Sequence, residues 1–138
     1  LSINRAHSRY APGNMTEYIA AANRRVKLYV QIELVSALAD VENIARVEGV
    51  DGLFVGPTDL SMALGVFGGL DSPALLDACR RVAEVAASVG KPSGIITGNT
   101  GLIQACRGYG MSMFCMGSET RLLSSGLCGI ADKLSDIR

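Results

Sequence analysis

Three side chains in this sequence stand where they could do chemistry: Gln31, Glu33 and Asp59. Gln31 and Glu33 are separated by Ile32 at the end of the apolar run Leu28-Tyr29-Val30. Side chains alternate along a strand, so Gln31 and Glu33 would share one face and Ile32 the other. A strand covered on both faces does not hold two such polar groups idly. Two ordinary explanations stay open: an edge strand, or a basic partner for Glu33. Asp59 follows a second apolar run, Gly52-Leu53-Phe54-Val55, across the break Gly56-Pro57-Thr58. Alone it reads as a helix cap. Taken with Glu33 on the preceding strand, about 4.8 Å away between strand axes, it suggests two carboxylates converging on one cation. All-oxygen ligation suits Mg²⁺, Mn²⁺ or Co²⁺, with waters and substrate completing the shell. Without a cation the two carboxylates would repel, and one would tend to stay protonated.

Between the two acids lies a possible anion cradle. Gly56 has no side chain, so a ligand can approach its backbone. Pro57 donates nothing, while Thr58 and Asp59 offer backbone N–H groups at a helix start, where the dipole favours a carboxylate. A small 2-oxo acid would fit, its carboxylate on Thr58 and Asp59 and its carboxylate and keto oxygens on the metal. Such a metal would stabilise the charge that develops when a C–C bond beside the ketone breaks.

These residues need elements to position them, and the chain supplies an alternation. Residues 1–14 read as a polar, turn-rich loop and 16–23 as a short helix. Strands are predicted at 28–33, 52–55, 92–96 and 113–116. Helices are predicted at 36–47, 59–64, 72–89, 99–109 and 120–134. The helix after Ser72 has the clearest signals: a serine cap, Pro73 in the first turn, an apolar stripe (Leu75, Ala78, Cys79, Val82, Ala86, Val89) and Gly90 at its end. Strand followed by helix, four times over, implies βαβ units on a parallel sheet, where functional groups gather at the carboxyl ends of the strands. Four units make either a small open sheet or half of an eight-unit barrel.

The totals agree with a globular α/β domain spanning residues 1–138. Hydrophobic residues make up 49% and aromatics 5%, with 13 basic and 13 acidic side chains. That balance leaves no electrostatic footprint for nucleic acid or an anionic membrane. Mean hydropathy is positive, yet no apolar run approaches the roughly 20 residues of a spanning helix. Cys79, Cys106, Cys115 and Cys128 form no C-x-x-C pair and read as reduced, mostly buried thiols of a cytoplasmic protein. The opening Leu-Ser-Ile, without Met, suggests a fragment.

Val30-Gln31-Ile32-Glu33, followed by Val47-Glu48-Gly49-Val50-Asp51-Gly52-Leu53-Phe54-Val55-Gly56-Pro57-Thr58-Asp59-Leu60, resembles the signature of the HpcH/HpaI aldolase family. Lys91-Pro92-Ser93-Gly94-Ile95, Gly108-Tyr109-Gly110 and Met116-Gly117-Ser118-Glu119 are similar too. The resemblance implies the C-terminal portion, about four βα units, of a (β/α)8 barrel of the phosphoenolpyruvate/pyruvate type. It implies reversible cleavage of 4-hydroxy-2-oxo acids to pyruvate (or a relative) and an aldehyde. It further implies that Glu33 and Asp59 are the metal ligands and that Gln31 lies beside the bound 2-oxo acid, the one candidate for a catalytic contact. Gly56, Pro57, Thr58 and Asp59 would hold the substrate carboxylate. The family's catalytic His and the Arg that steadies the enolate oxygen lie upstream of the metal-ligand strand, and nothing here matches them. His7, the only histidine, and Arg9 fall in a loop and read as surface or pairing residues. Glu119-Thr120-Arg121 reads either as a charged helix start or as a polar cluster near the barrel mouth. The apolar helix after it would pack on another subunit of a homo-oligomer, by analogy with the family. Two competing expectations are a citrate-lyase β-subunit-like enzyme acting on acyl-CoA substrates, and a non-catalytic half-barrel that only binds metal and 2-oxo acid.

Overall fold

The computed structural model describes residues 13–135 and 137, so the expectations for His7 and Arg9 lie outside the described residues. The first element is helix α1 (Met15–Arg25). It begins one residue earlier than the apolar pattern suggests because Asn14 caps it, its side-chain oxygen accepting from the Thr16 and Glu17 N–H groups at 2.9 and 3.3 Å. Strand β1 (Tyr29–Ile32) follows. Lys27 Nζ and the Leu28 N–H both donate to the Asp51 carboxylate at 2.8 Å, tying the entry of β1 to that of the next strand. The Lys27 hydrogen bond and then the backbone N–H hold the Asp51 carboxyl below its usual range.

The expected helix over 36–47 is two helices, α2 (Val35–Ala39) and α3 (Val41–Arg46). Asp40 separates them with a non-helical ψ of 16°. Its carboxylate accepts from Asn43 Nδ2 at 2.6 Å, the local alternative bonding that makes Asp a poor helix-interior residue. Then come β2 (Gly52–Val55), α4 (Pro57–Ala63), α5 (Pro73–Ser88), β3 (Ser93–Ile96), α6 (Thr100–Gly108), β4 (Met113–Cys115) and α7 (Glu119–Ser135). Pro92 stands outside β3 and Met116 outside β4, each one residue short of the expected strand. Helix α5 ends as its sequence indicates. Gly90, at φ +69°, lets its N–H reach the Ala87 carbonyl at 3.0 Å and the Lys91 N–H reach that of Ala86 at 2.9 Å.

The four strands are all parallel in the order β1-β2-β3-β4. Their register places Val30 and Ile32, Leu53 and Val55, Ser93 and Ile95, and Phe114 on one face. Helices α3 to α6 cover that face. Ile32, Leu53, Val55 and Ile95 are buried there with Val41, Leu60, Leu75, Val82 and Cys106. The other face carries Tyr29, Gln31, Gly52, Phe54, Gly94, Ile96, Met113 and Cys115, and no described helix lies over it. On that face Phe54 occupies the space above Gly94, whose missing Cβ would stand 2.7 Å from the Phe54 ring. Cys79 and Cys106 are buried, but Cys115 and Cys128 are exposed. This corrects the expectation of mostly buried thiols: Cys115 sits on the open face, and α7, which carries Cys128, buries no residue.

Candidate active site

The site forms where β1 and β2 end. Gln31 and Glu33 do project from the same side: Gln31 Nε2 donates to Glu33 Oε2 at 2.7 Å. Glu33 is half-buried just past the end of β1, and that strand is an edge of the described sheet. No basic side chain pairs with Glu33 among the described residues; its partner is the Gln31 amide. The Gly56 N–H donates to the Ile32 carbonyl at 3.2 Å, drawing the start of α4 against the end of β1. That approach requires glycine. A Cβ on Gly56 would collide with Gln31 Nε2 and stand 3.0 Å from Glu33 Oε2.

Helix α4 starts two residues earlier than expected, with Gly56 as its cap and Pro57 at the first helical position. Proline suits that place because the N–H it lacks would have no helical partner. Asp59 is therefore not the cap. It stands in the first turn, where a carboxylate meets the positive end of the helix. The first described helical bond is from the Leu60 N–H to the Gly56 carbonyl at 2.9 Å. The Thr58 and Asp59 N–H groups precede it and fall outside the ladder, as the first amides of any helix do.

Two cavities open here. The larger, about 660 Å³, is lined by Gln31 and residues 56–59, with Leu70, residues 97–99, Ser118 and Arg121 across from them. The second, about 470 Å³, is lined by Glu33, Leu34, Asp59, Met62 and Ala63. Asp59 borders both, so both acids face one small space. Of Glu119-Thr120-Arg121, only Arg121 lines the larger cavity. Sequence reasoning gave Thr97, Gly98, Asn99 and Ser118 no role at the site, although Ser118 falls in one of the family-like strings. The signal was available: they follow the carboxyl ends of β3 and β4, where parallel sheets place their loops.

The comparisons with known proteins bear on the family and the fold. The HpcH/HpaI aldolase/citrate lyase family matches residues 5–125. A 5-keto-4-deoxy-D-glucarate aldolase of Shigella dysenteriae serotype 1 (strain Sd197) is 34% identical over 120 residues, which are 87% of this chain and 47% of that enzyme. An HpcH/HpaI aldolase from Desulfitobacterium hafniense DCB-2 superposes with a TM-score of 0.76 at 24% identity, over 92% of this chain and 49% of its own. An aldolase/citrate lyase family protein from Burkholderia cenocepacia J2315 gives a TM-score of 0.74 at 27% identity, over 96% and 56%. The chain thus spans about half the length of the curated relatives it matches. Its four strand–helix units form an α/β arc, part of a (β/α)8 barrel. No described helix is long and apolar enough to cross a membrane. The motif at the ends of β1 and β2, the length of the match and the shared architecture lead to one conclusion: this chain belongs to the HpcH/HpaI aldolase/citrate lyase family.

Proposed function

We propose that this chain carries the metal- and carboxylate-binding part of a class II aldolase site. The substrate class is a 4-hydroxy-2-oxo acid, cleaved reversibly to pyruvate or a related 2-oxo acid and an aldehyde. One observation supports this reading above the others. Gly56 packs bare against the Gln31–Glu33 pair while the next helical turn brings Asp59 and two amides outside the ladder to the same place.

The residues fit a hard divalent ion. Glu33 and Asp59 border one small cavity, and no set of three or more His, Cys, Asp or Glu ligands forms among the described residues. Mg²⁺ and its relatives are commonly held by one or two carboxylates, with water and substrate oxygens completing the shell. Zinc sites usually draw on three or four protein ligands. Bound between Glu33 and Asp59, such an ion would supply Lewis-acid polarisation of the keto group as the adjacent C–C bond breaks. The remaining work belongs to the chain. The Gln31 amide fixes the Glu33 carboxylate and lies beside the 2-oxo acid. The Thr58 and Asp59 N–H groups receive the substrate carboxylate, and Gly56 and Pro57 leave it room. No histidine lines the cavity among the described residues, and the family's proton-transferring His, by the resemblance, lies upstream of the Glu33 strand. Helix α7 exposes Leu122, Leu123, Leu127, Ile130 and Leu134, and we read it as the surface through which copies of the chain assemble.

The test is binding followed by turnover. The chain should bind Mn²⁺ weakly, as read by electron paramagnetic resonance, and more tightly with pyruvate present. Glu33→Gln should weaken Mn²⁺ binding about tenfold or more. Unchanged Mn²⁺ affinity in that variant would remove Glu33 from the ligand set. The chain by itself should show no aldol cleavage, since no histidine lines the cavity among the described residues. Turnover of malyl- or citramalyl-thioesters in preference to hydroxy-oxo acids would favour the acyl-CoA reading instead.

A further inference from the structure

The sheet is wholly parallel, yet helices cover only one of its faces. Parallel sheets are ordinarily buried on both. The open face is also packed like an interior, with large side chains lying over glycines. A Cβ on Gly52 would stand 2.8 Å from the Tyr29 ring, and one on Gly94 would stand 2.6 Å from Met113 Cβ and 2.7 Å from the Phe54 ring. Large-over-small packing of this kind fills the inside of small closed barrels. Ile96, on the same face, is 41% exposed.

Both edges of the sheet are bare as well. Strand β1 reads Tyr29-Val30-Gln31-Ile32 and β4 reads Met113-Phe114-Cys115, with no proline and no charged side chain in either. Edges that stay open in solution usually carry such devices against pairing. The helices beside these edges are uncovered too: α1, before β1, and α7, after β4, bury no residue. The strand starts step by zero, one and one residue across the three pairings, always in the same direction, since Tyr29 is level with Gly52, Leu53 with Ser93 and Gly94 with Met113. Closure of an eight-stranded βα barrel asks for a shear of about one residue per strand.

We propose that the open face and both edges form an interface for a second copy of this chain, two four-stranded arcs closing into one eight-stranded parallel barrel. The free edge of β4 needs a parallel strand on one side, and the free edge of β1 needs one on the other. A second copy related by a two-fold axis supplies both at once, β4 of each chain pairing with β1 of the other, and leaves no edge. The same operation sets α7 of one copy beside α1 of the other. Surface area allows it. The whole chain exposes 9237 Å², whereas a compact monomer of its 14.5 kDa exposes about 6,900 Å². The surplus of about 2,300 Å² is well above the ~800 Å² that each partner contributes to a standard interface. Neither the metal nor the carboxylate reading is needed for this inference. Its consequence for them is that the end of β1, with Gln31 and Glu33, meets the loop after β4 of the other copy, so that each site borders two chains.

The experiment combines sedimentation with hydrogen–deuterium exchange on the full chain, dilute and concentrated. Sedimentation should give a species of twice 14.5 kDa and nothing larger. In the concentrated sample the amides of 29–32 and 113–115 should exchange about tenfold or more slowly than in the dilute one, while β2 and β3, already paired on both sides, change little. Ile96→Asp places a charge on the closing face and should weaken the dimer about tenfold or more, with the far-ultraviolet circular dichroism of the parent retained. If that variant does not fold, the exchange comparison on the unsubstituted chain still decides. A monomer at every concentration overturns the proposal. So does a dimer whose added protection is confined to α7, which leaves α7 as the contact and the sheet open. A ladder of ever larger species overturns it too, because the edges would then add strands without closing.

Discussion

Helices α5 and α7 are nearly equal in length, 16 and 17 residues, and both are amphipathic with a serine just before them. Their fates in the fold are opposite. Helix α5 buries Leu75, Ala78, Cys79, Val82, Ala83 and Ala86 against β2, β3 and its neighbouring helices. Helix α7 buries nothing, and Leu122 and Leu123 remain 70% and 66% exposed. Periodicity therefore reports that a helix has an apolar face, but not what covers it. Cover depends on which strands the helix connects. Helix α5 links two central strands and is held at both ends. Helix α7 follows β4, the last strand of the described sheet, and no strand follows it among the described residues.

Four substitutions would break or sharpen this contrast. The largest effect is expected from Leu75→Ala in α5, where a fully buried side chain leaves a cavity. Urea unfolding should show a loss of about 2–5 kcal/mol. A loss near zero would mean that α5 is no more integrated than α7. An intermediate effect is expected at the two serines. Ser72→Ala removes the acceptor for the Leu75 N–H and should cost about 1 kcal/mol in global unfolding. Ser118→Ala removes the same kind of cap but should register only as faster amide exchange in the first turn of α7, with the global midpoint unmoved. The smallest effect on the folded chain is expected from Leu127→Asp, which should shift the monomer's stability by no more than about 0.5 kcal/mol. Sedimentation should nonetheless show weakened self-association, if α7 is where copies meet. Unchanged association would place the contact elsewhere.

Much of this architecture was legible because its signals are local. The Gln31-x-Glu33 spacing needs only strand alternation, and the Ser72-Pro73…Gly90 bracket marks both ends of α5. The break in the second helix was missed because the apolar spacing continues across Asp40, while the carboxylate's bond to Asn43 overrides it. The start of α4 was legible at Gly-Pro-Thr-Asp, although Asp59 lies inside the helix rather than at its cap. The opposite wall of the cavity was only partly visible, in the polar cluster at 119–121. Thr97, Asn99 and Arg121 come together through the pairing of β3 and β4, and no single window of sequence contains that pairing.

The distribution of thiols gives this molecule a built-in set of reporters. Cys79 and Cys106 are sealed in the core, whereas Cys115 marks the open face of the sheet and Cys128 marks α7. A maleimide reagent would therefore tag the native chain at two positions, one on each uncovered surface. Loss of tagging at Cys115 alone would report that something has closed over the sheet. Loss at Cys128 alone would report a partner on the helix. The chain can thus announce which of its open surfaces is occupied without any engineered label.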